Sequence, residues 1–85
     1  MNERWEVVLH RAAARAFFNC RGSERLRLEQ SLDSLADNPN QEYRTEIKDP
    51  TGRINRVCKV GRWSVVYWLD PFVKEVRIVS LERDA

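Results

Sequence analysis

Eighty-five residues confine the chain to one domain, near the lower limit at which a single hydrophobic core holds without disulfide or metal staples. A hydrophobic fraction of 42% beside 33% charged residues excludes a disordered tail, and no apolar run approaches the ~18 residues of a membrane-spanning helix. Net charge is only +2, too little to identify a polyanion ligand by itself, so the distribution of charge matters more than its sum.

In chain order, Trp5-Glu6-Val7-Val8-Leu9 is short and rich in β-branched and aromatic residues, which predicts a strand. Arg11 to Cys20 is rich in helix formers and predicts an amphipathic helix, with either Ala13, Phe17 and Cys20 or Ala14, Phe17 and Phe18 on its inner face. His10, at the junction, reads as a capping or surface residue. Gly22 supplies the turn after this helix and Ser23 an N-cap for the next. That second helix is expected over Glu24 to Asp37, since Leu28, Leu32 and Leu35 recur at i, i+4, i+7, and Asn38-Pro39 ends it because a residue before proline is driven out of helical geometry. A polar loop through Gln41 and Glu42 leads to a strand near Tyr43 to Lys48, and Asp49-Pro50-Thr51-Gly52 reads as a turn.

Three further strands are expected, at Arg53–Val60, Trp63–Leu69 and Lys74–Leu81, joined by Gly61-Arg62 and Asp70-Pro71-Phe72. The predicted class is α+β with element order β-α-α-β-β-β-β, a helical hairpin packed on one face of a small antiparallel sheet with the other face partly open. The cations concentrate here: between Arg44 and Arg62 there are six basic residues (Arg44, Lys48, Arg53, Arg56, Lys59, Arg62) against Glu46 and Asp49. Only Lys48, Lys59 and Lys74 of the fifteen cations are lysine, so twelve are arginine, whose planar fork suits phosphate. Such a patch suits a nucleic-acid backbone or a salt-bridged, solvated face.

Cys20 and Cys58 form neither a C-x-x-C pair nor a disulfide framework and are expected to be reduced and buried. With His10 as the single histidine there is no zinc or calcium ligand spacing, and no cofactor is implied. Met1-Asn2-Glu3-Arg4 lacks the apolar stretch of a signal peptide, so the expected location is the cytoplasm.

Taken in order, the opening strand, the short Ala-Phe helix, a second helix closing on Leu35-Ala36-Asp37-Asn38-Pro39, the run Arg56-Val57-Cys58-Lys59-Val60-Gly61-Arg62-Trp63 feeding Val65-Val66-Tyr67, and the terminal Ile78-Val79-Ser80-Leu81-Glu82-Arg83-Asp84 resemble the RelE/ParE toxin superfamily over nearly the whole length. Members are small toxins of type II toxin–antitoxin pairs, known also as plasmid-stabilisation proteins. The RelE branch cleaves messenger RNA in the ribosomal A site; the ParE branch poisons DNA gyrase. The resemblance thus implies a toxin held inactive by a cognate antitoxin, and leaves a homodimer open.

Metal-independent RNA cleavage needs a base, an acid and cations around the scissile phosphate. By resemblance Lys59, Arg83 and Lys48 match basic site positions and would converge as a phosphate clamp, with Glu82 or Glu46 as base. Arg53, Arg56, Arg62 and Arg44 would bind RNA, and Trp63, Trp68 and Phe72 would receive an antitoxin helix or stack a base. Two departures from the family pattern stand out: Ser64 occupies a position usually held by arginine, and no tyrosine follows the last strand. These leave a gyrase poison and a catalytically inactive binding module as alternatives to an mRNA endonuclease, with a generic nucleic-acid binder behind them.

Overall fold

The computed structural model describes residues 3–41 and 43–84; Met1, Asn2, Glu42 and Ala85 lie outside them. The element order is the expected one: β1 (Glu6–Leu9), α1 (Arg11–Asn19), α2 (Gly22–Asp37), β2 (Thr45–Lys48), β3 (Ile54–Val60), β4 (Trp63–Asp70) and β5 (Glu75–Arg83). The five strands form one sheet in the order β1-β5-β4-β3-β2. All neighbours are antiparallel except β1 and β5, which run parallel with Val7 opposite Val76 and Leu9 opposite Ile78. The parallel pair follows from the helices carrying the chain from β1 to β2 at the opposite edge, antiparallel to β1, after which β2 to β5 run antiparallel back across the sheet and β5 arrives parallel beside β1.

Periodicity explains which faces are buried. Ala13 and Phe17 of α1, with Cys20 just beyond it, and Leu28, Leu32 and Leu35 of α2 meet Cys58, Trp63, Val65, Tyr67, Val76, Ile78 and Leu81 of the sheet. Of the two faces open for α1, the one with Ala13 and Cys20 is inside, whereas Phe18 is 65% exposed. Fully burying an apolar side chain of this size contributes about 1.5–3 kcal/mol, and Leu28, Leu35, Val65, Val76 and Ile78 each do so here.

The second helix starts two residues before the expected Glu24, with Gly22 as its first residue at φ +63. Gly22 thus makes the turn, as expected of a residue without a Cβ, but Ser23 is not the cap; Arg21 holds that position and no side chain caps it. Asp49 organises the β2–β3 turn by accepting from Thr51 N at 2.9 Å, Thr51 Oγ1 at 2.6 Å and Arg53 N at 3.0 Å. Gly61 takes φ +59 in the two-residue β3–β4 hairpin, the geometry such tight turns require.

In β5 the alternation breaks. Tyr67 pairs with Ile78 but Val66 pairs with Ser80, so Val79 is a bulge. Val76, Ile78 and Leu81 all face the helices because of it, and so does everything on their row beyond.

Candidate functional site

Cross-strand register decides which candidate residues share a face. Lys59 lies opposite Ser64, and Ser64 opposite Glu82, so these three point to the open face. Val60 lies opposite Trp63, and Trp63 opposite Arg83, one step along and hence on the helix side. Lys59 and Arg83 therefore point to opposite sides of the sheet, and the expected clamp on one phosphate is not formed. Arg83 Nη2 instead lies 3.4 Å from Glu24 Oε2 on α2.

Lys48 is also removed from Lys59. It pairs with Ile54 on the helix side of the sheet, five residues along β3 from Lys59, or about 16 Å at the rise of an extended strand. Glu46, opposite Arg56 and so also on the helix side, accepts from Tyr43 Oη at 2.8 Å and lies across the sheet from Lys59. Of the four expected catalytic residues, only Lys59 and Glu82 share the open face.

What surrounds Lys59 is a polar cluster. Its ammonium donates to Ser64 Oγ at 3.3 Å and forms an ion pair with Asp84, the residue after β5. The Lys59 side chain is 26% exposed, enough to meet a ligand but screened less than a free surface lysine. Asp84 was not among the residues expected at the site; the signal for it is its place one residue past Arg83, on the parity of Glu82.

The other end of the open face is built around Trp68. The Arg53 guanidinium stacks 3.9 Å from its ring centroid and Arg77 lies at 5.5 Å. Arg77 is held by Glu75 at 2.6 Å and Asp70 at 3.7 Å. Between this stack and Lys59 lies the buried pair Val57 and Val66. The open face thus carries charge at both ends and an apolar middle.

The remaining arginines do not join one patch. Arg56 lies on the helix side, 4.7 Å from the Tyr43 ring and 3.4 Å from Asn40 Oδ1. Arg44 is exposed ahead of the edge strand β2, and Arg62 sits in the β3–β4 turn. The three expected partner-binding aromatics are likewise dispersed: Trp63 is 8% exposed and belongs to the core, Trp68 is half-buried under Arg53, and Phe72 is 96% exposed in the β4–β5 turn. Trp63 is therefore not available to a partner, because its place opposite Arg83 puts its ring among the helices.

A second concavity lies on the helix side, between Ser23, Glu24 and Arg27 of α2 and Val60, Gly61, Arg62 and Trp63 of the hairpin, with a volume of about 260 Å³. The neighbouring Trp63 indole N–H holds the Glu24 carboxyl below its ordinary pKa, followed by the Cys20 thiol and by Arg83 and Arg62, although no oxygen lies in hydrogen-bonding geometry to that indole. Burial raises the Cys20 and Cys58 thiols, and both cysteines are free.

No family model and no curated protein matches the sequence. Solved structures do match the fold. A chain of the toxin–antitoxin complex RelBE2 from Mycobacterium tuberculosis superposes with a TM-score of 0.77 at 12% identity, covering 94% of this chain and 98% of that one. A chain of the archaeal RelE–RelB complex from Pyrococcus horikoshii OT3 gives a TM-score of 0.74 at 16% identity, over 98% and 96%. The chain has the RelE-like fold: two helices on one face of a five-stranded, mostly antiparallel sheet.

Proposed function

We propose that this protein is the toxin of a toxin–antitoxin pair, neutralised by a cognate antitoxin, and that it inhibits translation by cutting messenger RNA at the ribosome without a metal. The observation that carries the first part is the end-to-end fold match to chains solved within toxin–antitoxin complexes. Support for the second part is the open-face cluster of Lys59, Ser64, Glu82 and Asp84, where a cation and carboxylates converge. In this reading Glu82 or Asp84 takes the proton of the 2′-hydroxyl, whose oxygen attacks the adjacent phosphorus. Lys59 stabilises the charge that develops on the phosphate oxygens; the bond from phosphorus to the 5′-oxygen breaks, that oxygen takes a proton from water, and a cyclic phosphate and a 5′-hydroxyl end result. The Arg53–Trp68 stack is positioned to hold flanking nucleotides by charge and ring contact. Arg83 takes no part.

A second reading, a toxin fold that acts by binding protein alone, is favoured by the neutralisation of Lys59 by Asp84 and by the loss of Arg83 from the open face. Induction of the chain alone, and together with the product of the adjacent reading frame, tests the proposal. Growth arrest and falling protein synthesis that the second product relieves, with the two copurifying, support it. Normal growth on induction alone contradicts the toxin, and arrest accompanied by a DNA-damage response with intact transcripts would move the target to gyrase.

A further inference from the structure

We infer that the helix-side cleft between the start of α2 and the β3–β4 hairpin is an anion site that takes a phosphate group. It lies on the opposite face of the sheet from Lys59 and is independent of the toxin reading.

Several observations converge on one small volume. The Trp63 side chain is 8% exposed and lines the cleft, yet its indole N–H has no acceptor. An orphaned buried donor of this kind costs stability unless something external accepts from it. The nearest internal acceptor, the Glu24 carboxylate beside it, is shared: Oε1 accepts from the Cys20 thiol at 3.4 Å, and Oε2 faces Arg83 at 3.4 Å. The helix start beside it has no side-chain cap, so its first-turn N–H groups are not satisfied by a cap, and the dipole favours negative charge there.

Glu24 is the acid among the lining residues, and its ion pair is with Arg83. Among the described residues neither Arg27 nor Arg62 is in an ion pair, and both line the cavity. Arg27 reaches in because residue 61 is glycine: a Cβ there would stand 3.2 Å from Arg27 Nη1. With Glu24 facing Arg83, which stands outside the lining, the two lining guanidiniums of Arg27 and Arg62 leave a surplus of two positive charges.

Geometry and charge select the ligand. Two guanidiniums, the Ser23 hydroxyl and backbone N–H groups offer more donors than the two oxygens of a carboxylate take up, whereas a phosphate dianion matches both their number and the surplus charge. A volume of about 260 Å³ holds a phosphate group rather than a folded segment. That group is either free phosphate or the terminal phosphate of a nucleic acid.

The test is an NMR titration of the full 15N-labelled chain at constant ionic strength, following the three indole signals of Trp5, Trp63 and Trp68. Inorganic phosphate is expected to shift the Trp63 signal saturably and leave the other two in place. A 5′-phosphorylated tetraribonucleotide producing the same shift, with its 5′-hydroxyl counterpart silent, would assign the source to RNA ends; a shift with inorganic phosphate alone would assign it to the free ion. The double variant Arg27→Ala, Arg62→Ala should bind at least about tenfold more weakly, and Glu24→Gln should bind more tightly because it removes a like charge. An unmoved Trp63 signal with every phosphate-bearing probe, an undiminished shift in a folded double variant, or weaker binding by Glu24→Gln would overturn the site.

Discussion

At the scale of single residues, the Tyr67 hydroxyl is a buried polar group that contributes nothing visible to stability. Tyr67 is 0% exposed and its hydroxyl has no partner, and burial raises its pKa. Tyr67→Phe removes an unsatisfied buried hydroxyl while keeping the ring, so thermal unfolding should show unchanged or increased stability. A loss greater than about 1 kcal/mol would mean that the hydroxyl is bonded in solution. Asp49 is the converse case. Its carboxylate gathers donors from Thr51 and Arg53, and the Thr51 hydrogen bond is the main cause of its lowered pKa. A lowered folded-state pKa stabilises the protein above the ordinary aspartate value and loses that contribution as pH falls through the folded value. Acid unfolding of Asp49→Ala should therefore lack the part of the wild-type pH dependence seen below about pH 4, and identical acid profiles for the two proteins would remove Asp49 from the account.

At the scale of elements, the Gly61 hairpin joins the sheet to α2. Any side chain at residue 61 meets a positive φ of 59° and crowds Arg27, so Gly61→Ala should cost about 1–2 kcal/mol in chemical denaturation. A variant as stable as the parent would show that the turn relaxes. Element order, the inner faces of both helices and the tight turns could all be read from periodicity, proline and glycine, because those signals are local. The parallel β1–β5 pair could not, since it depends on which edge of the sheet the helices deliver the chain to. The facing of Arg83 was lost for a more specific reason. Strict alternation through β5 would carry Arg83 to the open face beside Lys59, and the bulge at Val79 turns it to the helices. A trace of this is present in the sequence: with Val76 and Ile78 inward, unbroken alternation would bury Ser80 and expose Leu81, and the bulge spares both.

At the scale of the whole molecule, the helices commit one sheet face to the core and leave the other open. The basic residues clustered in sequence between Arg44 and Arg62 separate onto both faces, an edge and a turn, so the protein does not present one polyanion surface. Its open face is instead short of net charge: Lys59 is countered by Asp84, and Arg77 by Glu75 and Asp70. Any action on RNA thus depends on Lys59 being released by a ligand that competes with Asp84, and not on long-range attraction.

Mapping of 5′-hydroxyl transcript ends in cells expressing the wild type, Lys59→Ala or Arg83→Ala tests this division of faces most directly. With the Lys59 variant, cleavage should fall by about a hundredfold or more, as expected when a group stabilising developing charge is removed. The Arg83 variant should cut at the same positions with little change. Equal loss in both variants would contradict the account, because it would require two side chains on opposite faces of the sheet to serve one phosphate.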